Sequence, residues 1–167
     1  ILTEAEKSSA RAVVFSGAGN TFFIGGADAL EMMRYAPEEA RAFSGRIQQF
    51  FNRMEESPLI LGAAINGLCY GGGYEFALAC DFRVASETAR MGLPEVRVGI
   101  IPGGGGTQRL PRLVGKGKAL DIILRGRLYS AKEALEMGLI HQVFPPDELN
   151  AETVKFLEPF FKNPQHA

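Results

Sequence analysis

The stretch from Ile65 to Asp81 has the sequence INGLCYGGGYEFALACD, and the interpretation of the whole chain starts from it. The apolar run before it, Leu59 to Ile65, predicts a buried strand. Three consecutive glycines, Gly71 to Gly73, allow a sharp turn and leave their N–H groups unshielded by side chains. A short helix is predicted from about Gly73, and Glu75 is the one charge in its apolar sequence. Taken alone, the stretch fits a reactive site and a simple packing turn about equally well.

The composition predicts one globular domain with a sizeable core, because 46% of the 167 residues are hydrophobic. A net charge of −1 without a long basic run argues against a nucleic-acid surface. No apolar run is long enough to span a membrane. Cys69 and Cys80 lie in apolar surroundings, which favours reduced thiols in an intracellular protein. Because the sequence starts at Ile1 in the middle of an element, we expect it to be part of a longer protein.

Apolar runs that end in glycine-rich turns alternate with helical patterns along the chain. Besides the strand before Ile65, we expect a buried strand at residues 12–15 and further strands at residues 82–85 and 140–144. Gly25 and Gly26 form a second glycine turn, ahead of a predicted helix at residues 27–33. Strands that alternate with helices indicate an α/β fold, with ligands at the carboxyl ends of the strands.

The clearest helix is predicted at residues 38–56, where five apolar side chains recur at helical spacing. We expect this helix to be structural, without chemistry of its own. Ser130 and Glu133 predict a capping box at the start of a later helix. We assign residues 1–145 to a core domain and residues 146–167 to the start of a C-terminal helical segment.

Several common kinds of site do not fit the motifs of this sequence. The glycines of residues 103–106 are followed by threonine and glutamine, so a phosphate-binding loop with its lysine is missing. The two histidines, His141 and His166, have no Gly-x-Ser-x-Gly partner and no metal-ligand spacing. We expect His141 to lie at the surface or at a strand edge. Acid–base chemistry with Glu75 and Glu95, next to bare backbone N–H groups, is what remains.

The chain closely resembles the enoyl-CoA hydratase/isomerase (crotonase) superfamily over nearly its whole length. The order and spacing of the matching segments make the resemblance far more specific than any single glycine motif. The segments that carry it are Phe23–Asp28, Ile65–Gly67, Gly71–Glu75, Ala79–Asp81, Leu93–Glu95, Ile101–Leu110, Ala131–Ala134 and Met137–Ile140.

The resemblance implies a role for each residue that matches the family's motifs. The N–H groups of Ala27 and Gly72 would form an oxyanion hole for the thioester carbonyl, and Glu75 and Glu95 would be the catalytic glutamates. It also implies substrate-binding positions at Gly25, Asp28, Ala29, Leu30, Gly71, Pro94 and Gly103. No metal site is expected.

The resemblance further implies a crotonase (ClpP-like) α/β fold of repeated ββα units, here without its N-terminal strands and C-terminal helices. Two glutamates favour an enoyl-CoA hydratase that adds water syn to trans-2-enoyl-CoA, and coenzyme A is then part of the substrate, so no cofactor is expected. Double-bond isomerisation and a non-catalytic CoA- or RNA-associated scaffold are the alternatives. A homotrimer or a dimer of trimers is implied. We expect a cytoplasmic location, with the mitochondrial matrix as the other candidate.

Overall fold

The computed structural model describes residues 2–161, apart from the side chains of Ala29 and Leu30. Its strands form two four-stranded sheets. The strands are β1 (Ala12–Ser16), β2 (Phe22–Ile24), β3 (Ile60–Ile65), β4 (Leu68–Tyr70), β5 (Phe82–Ser86), β6 (Arg90–Gly92), β7 (Tyr129–Ser130) and β8 (Gln142–Phe144). The helices are α1 (Leu2–Glu6), α2 (Ala29–Met32), α3 (Pro37–Glu55), α4 (Gly72–Leu78), α5 (Gly106–Val114), α6 (Lys116–Arg125), α7 (Ala131–Glu136) and α8 (Leu149–Phe161), with a 3₁₀ helix at Glu95–Val98.

The first sheet has the strand order β1-β3-β5-β8, and all its neighbours are parallel. Its central strand β3 has the apolar sequence ILGAAI and is almost entirely buried, as expected for a parallel strand covered on both faces. Helix α8 packs against this sheet, and the buried Leu157 lies against Gly62. The predicted domain boundary at residue 145 stays a prediction, and residues 162–167 lie outside the described part.

The second sheet has the order β2-β4-β6-β7 and consists of very short strands. Strands β2, β4 and β6 are parallel, whereas β7 is antiparallel to β6. Three times along the chain, a strand of the first sheet is followed by a strand of the second and then by helices. The predicted α/β fold of repeated ββα units is therefore confirmed.

Most of the predicted elements are present, with small differences at their ends. Helix α3 spans Pro37–Glu55, and the capping box of α7 is formed, since the Glu133 N–H donates to Ser130 Oγ and the Ser130 N–H donates to Glu133 Oε2. The helix expected at residues 27–33 is only the single turn of α2. No helix within residues 2–161 has the length and apolar composition to cross a bilayer.

Candidate active site

Three loops meet at one edge of the second sheet because β2, β4 and β6 are adjacent and parallel. The carboxyl ends of parallel strands lie at the same edge, so the segments that follow them converge. Ala27 follows β2, Gly72 follows β4 and Glu95 follows β6. The topology therefore brings together residues that are far apart in the sequence.

Glycines allow the first two of these loops to approach each other closely. Gly26 has a φ of 80°, and a Cβ at this position would lie 3.0 Å from the Tyr70 carbonyl oxygen and 3.2 Å from the Gly72 nitrogen. A Cβ at Gly72 would lie 3.8 Å from the Ala27 nitrogen. Within the described residues, neither the Ala27 nor the Gly72 N–H donates a hydrogen bond to another protein group. Two neighbouring backbone donors are thus free to bind an oxygen atom.

Glu75 lies on the first turn of α4 with only 3% of its surface exposed. Its Oε1 atom accepts hydrogen bonds from the Gly104 and Gly106 N–H groups, each at 2.8 Å. Burial raises the pKa of the Glu75 carboxyl, while the Gly106 and Gly104 N–H groups and the charge of Arg109 oppose that rise. Hydrogen bonds of this kind favour the ionised carboxylate.

Glu95 begins the 3₁₀ helix and is half-buried. Its Oε2 atom is buried without a hydrogen-bond partner among the described residues. Burial, followed by a smaller contribution from the charge of Glu75, raises the pKa of Glu95 to about 7, against an opposing bond from its own backbone. A raised pKa and an unpartnered oxygen are characteristic of a carboxyl at a functional site.

Both glutamates line a largely apolar cavity of about 380 Å³. Helix α3 forms one wall through Ala40, Phe43, Ser44 and Ile47. The prediction that this helix is only structural is therefore incomplete, because its apolar face continues from the core into the cavity. The other lining residues are Gly25, Gly26, Ala27, Met32, Tyr70, Gly71, Gly72, Pro94, Arg97, Val98, Ile100, Ile101, Gly103 and Gly104.

Most of the residues that the sequence assigns to the site come together on this cavity. Asp28 is not among the lining residues, and its Oδ1 atom accepts a hydrogen bond from the Glu31 N–H at 3.3 Å. Ala29 and Leu30 begin α2, but their side chains lie outside the described part. The predicted site residues on the cavity are Glu75, Glu95, Ala27, Gly72, Gly25, Gly71, Pro94 and Gly103.

The two backbone groups that bind Glu75, the N–H groups of Gly104 and Gly106, are not predicted from the sequence. A Cβ at Gly104 would lie 2.7 Å from Glu75 Oε2, and one at Gly106 would lie 3.1 Å from Glu75 Oε1. The run of four glycines at residues 103–106 is the signal that could reveal this contact, since bare backbone allows N–H groups to approach a buried carboxylate. From the sequence we assign only Gly103 of this run to the site, as a substrate-binding position.

His141 does not line this cavity. His141 directly precedes β8 and lies beside the start of β5, where its Nδ1 atom accepts a hydrogen bond from the Arg83 N–H; it is exposed, so its predicted place at the surface is confirmed. His166 lies outside the described residues. Within residues 2–161, no three His, Cys, Asp or Glu side chains are grouped so that they could hold a metal ion.

The chain belongs to the enoyl-CoA hydratase/isomerase family, whose model matches residues 1–167. It is 44% identical over 145 residues to the crotonyl-CoA hydratase of Syntrophomonas wolfei, which covers 86% of this chain and 55% of that protein. It is 47% identical over 144 residues to the short-chain-enoyl-CoA hydratase of Clostridium acetobutylicum, which covers 85% of this chain and 54% of that protein. The chain thus spans about half the length of these curated relatives.

Solved structures of the same family have the same fold. The enoyl-CoA hydratase of Bacillus anthracis superposes with a TM-score of 0.91 at 42% identity, covering 98% of this chain and 64% of that one. The human mitochondrial delta3-delta2-enoyl-CoA isomerase also gives a TM-score of 0.91, at 28% identity, covering 99% of this chain and 65% of that one. The crotonase fold is therefore confirmed, and it is common to hydratases and isomerases.

Proposed function

We propose that the full-length protein is an enoyl-CoA hydratase that adds water syn to trans-2-enoyl-CoA thioesters. The observation that carries this proposal is the presence of both Glu75 and Glu95 on one apolar cavity, next to the Ala27 and Gly72 N–H groups. The names of the Syntrophomonas wolfei and Clostridium acetobutylicum relatives support a hydratase with short acyl substrates. Coenzyme A is part of the proposed substrate, and no further cofactor is proposed.

In this proposal the Ala27 and Gly72 N–H groups bind the thioester oxygen. Water addition at Cβ moves electron density onto that oxygen, so donors placed there stabilise the transition state more than the ground state. One such donor contributes about 3–4 kcal/mol in well-studied enzymes. The neighbouring positions of these two N–H groups support the assignment.

The different surroundings of the two glutamates suggest separate roles for them. Glu75 accepts two backbone N–H bonds, which favour its ionised form, so we assign it as the base that takes a proton from water. Glu95 has a pKa raised to about 7 and an unpartnered Oε2, so we assign it as the acid that protonates Cα. Environments that separate two carboxyl pKa values are a common way to divide acid and base roles.

The test is a hydration assay of the full-length protein with crotonyl-CoA. Addition of water removes the conjugated double bond, so the absorbance of the enoyl thioester should fall, and chromatography should identify 3-hydroxybutyryl-CoA. Crotonyl-CoA that binds but is not hydrated would overturn the proposal. Conversion of a 3-enoyl-CoA to a 2-enoyl-CoA as the main activity would indicate an isomerase, and binding without either reaction would indicate a scaffold.

We also propose that the protein assembles as a homotrimer or a dimer of trimers and acts in fatty acid metabolism, as the family resemblance implies. Light scattering on the full-length protein measures the assembly directly. A mass of three or six subunits is expected, and a monomer or dimer would contradict this part of the proposal.

A further inference from the structure

The glycine loop that binds Glu75 is itself held by side chains from two helices. The loop offers the Gly104 and Gly106 N–H groups to one carboxylate oxygen, both at 2.8 Å. A loop of four glycines has much conformational freedom, so its own sequence does not fix these N–H groups in place. Other parts of the chain therefore have to restrain it.

The first restraint comes from α3. Ser44 Oγ and Gln48 Nε2 each donate a hydrogen bond of 2.7 Å to the Gly103 carbonyl oxygen. This carbonyl and the Gly104 N–H belong to the same peptide group. Two donors on the carbonyl fix the plane of that peptide, and they also polarise its N–H toward Glu75.

The second restraint comes from α5. Arg109 Nη1 donates to the Gly104 carbonyl oxygen at 3.0 Å, which orients the next peptide group of the loop. The same guanidinium binds both carboxylate oxygens of Glu55, at 3.0 and 2.7 Å, and Asn52 Oδ1 at 2.8 Å. Arg109 thus ties the loop to α3, and its side chain is only 9% exposed.

We propose that Gln48 and Arg109 are positioning residues that hold the Gly103–Gly104 and Gly104–Gly105 peptide groups in the orientation required for Glu75 to act. This inference rests on the proposed function, because Glu75 is the base only if the protein is a hydratase. Ser44 shares the contact with Gly103, but it also lines the cavity and can touch substrate. Arg109 lines neither that cavity nor the adjoining cleft, so its variant separates positioning from substrate contact. Gln48 lies on the adjoining cleft beside Ser44 and Gly103, so its variant is judged by kcat together with KM.

The charges around Glu75 determine the direction of the expected change. Arg109 of α5 lowers the Glu75 pKa by its positive charge, Glu55 of α3 neutralises part of that charge, and Glu95 lies across the cavity. Loss of Arg109 removes both its charge and one restraint, and loss of Gln48 weakens the Gly104 N–H bond. Both changes should raise the Glu75 pKa. Because the base has to be ionised, the acidic limb of the pH profile of kcat should then move to higher pH.

The experiment compares Gln48→Met and Arg109→Met with matched controls in the full-length protein. Gln49→Met changes the neighbouring exposed glutamine of α3. Arg112→Met changes an exposed arginine of α5 that donates to its own helix at Gln108. The measurements are kcat and KM with crotonyl-CoA across pH, and a carbon-13 NMR titration of the Glu75 carboxyl. Melting temperatures show whether each variant is folded.

We expect kcat to fall by about 10-fold to 100-fold in the two test variants, with KM changed less than about twofold. The Glu75 carboxyl should titrate at higher pH than in the wild type, and both controls should match the wild type. Arg109→Lys retains the positive charge but not the several N–H donors of the guanidinium, so its kcat should lie between those of Arg109→Met and the wild type.

Folded test variants whose kcat and Glu75 titration match the controls would overturn the inference. A fall in melting temperature with an unchanged pH profile would also overturn it, because it would show a purely structural role. Should Arg109→Met fail to fold, Gln48→Met decides through its Glu75 titration and its kcat at unchanged KM, since Gln48 is exposed and its loss leaves the core intact. A wild type without hydratase activity would contradict the proposed function, while the NMR titration would still decide the positioning claim.

Discussion

Glu75 and Glu95 lie on one cavity, and burial raises the pKa of both carboxyls, but they differ in their hydrogen-bond partners. Glu75 is almost fully buried, yet backbone N–H groups satisfy its Oε1 atom and Arg109 lies near it. Glu95 is more exposed, yet its Oε2 atom has no hydrogen-bond partner among the described residues. Hydrogen bonding, more than depth of burial, therefore distinguishes the two carboxyls. The comparison assigns the ionised role to Glu75 and the protonated role to Glu95.

The largest effect is expected when either carboxyl is replaced by an amide. Glu75→Gln and Glu95→Gln should each lower kcat for crotonyl-CoA hydration by about 10²–10⁴-fold, because general acid–base catalysis typically contributes that much. KM should change far less, since neither carboxyl is assigned to binding. Steady-state kinetics checks this, and a variant that retains a tenth of wild-type kcat would break the two-glutamate mechanism.

A smaller effect, about 100-fold in kcat, is expected from Gly104→Ala. The added Cβ would lie 2.7 Å from Glu75 Oε2 and 2.8 Å from the Phe51 ring, so the loop has to move and its N–H bond to Glu75 is lost. The matched control is Gly117→Ala within α6, where no atom lies within 4 Å of the added Cβ. The control should keep full activity and gain about 0.5–1 kcal/mol of stability. Equal activity in the two variants would contradict the role of the loop.

The third prediction concerns the pH dependence of kcat/KM, which should fall about tenfold per pH unit on the alkaline side because of Glu95 alone. Its pKa is raised to about 7, and the acid has to be protonated, so kcat/KM for hydration should fall as pH rises above about 7. The residual activity of Glu95→Gln should lack this alkaline limb, and Glu75→Gln should retain it. An alkaline limb in Glu95→Gln would assign it to another group. The pH dependence of kcat/KM for the three proteins decides the question.

The smallest expected effect is on stability: replacing Glu95 should stabilise the folded protein although it lowers the activity. The folded-state pKa of Glu95, about 7, lies above its ordinary value of 4.5, so the folded state binds more protons than the unfolded state between these pH values. Stability should therefore fall as pH rises from 4.5 to 7.

Glu95→Gln removes this penalty and should stabilise the protein at pH 8 by about 1–2 kcal/mol, after allowance for partial solvent exposure. At pH 4.5 the free energies of unfolding of Glu95→Gln and the wild type should be nearly equal. Urea denaturation at both pH values measures it, with the exposed Glu87→Gln as control. Equal stability of Glu95→Gln and the wild type at pH 8 would show that Glu95 is well solvated.

The sequence predicts the first sheet and the long helix well because their patterns are strong. Strand β3 is an unbroken apolar run, and α3 has apolar side chains at helical spacing. The strands of the second sheet, β2, β4, β6 and β7, are not among the predicted strands. Two or three residues are too few to show a period, and only pairing with a neighbour makes them strands. In α3, Phe50 is one of the five apolar side chains at helical spacing, yet it is 50% exposed, so the periodicity alone does not predict burial.

The candidate site is predicted in part for a similar reason. The motifs locate Glu75, Glu95 and the Ala27 and Gly72 N–H groups, because each belongs to a short distinctive segment. The bonds from Gly104 to Glu75 and from Gln48 to the loop join residues 29 and 55 positions apart, and no local pattern records such contacts. The unequal hydrogen bonding of the two carboxyls follows from those contacts, so only the folded structure reveals it.

The most direct test is a site-resolved titration of both carboxyls by carbon-13 NMR in the full-length protein without substrate. Glu75→Gln and Glu95→Gln assign the two signals. We expect Glu95 to titrate near pH 7. We expect Glu75 to titrate at lower pH, because its Oε1 atom accepts two backbone N–H bonds. A Glu75 carboxyl that titrates above Glu95 would reverse the assigned roles, and a Glu95 carboxyl that titrates at its ordinary value would contradict the account.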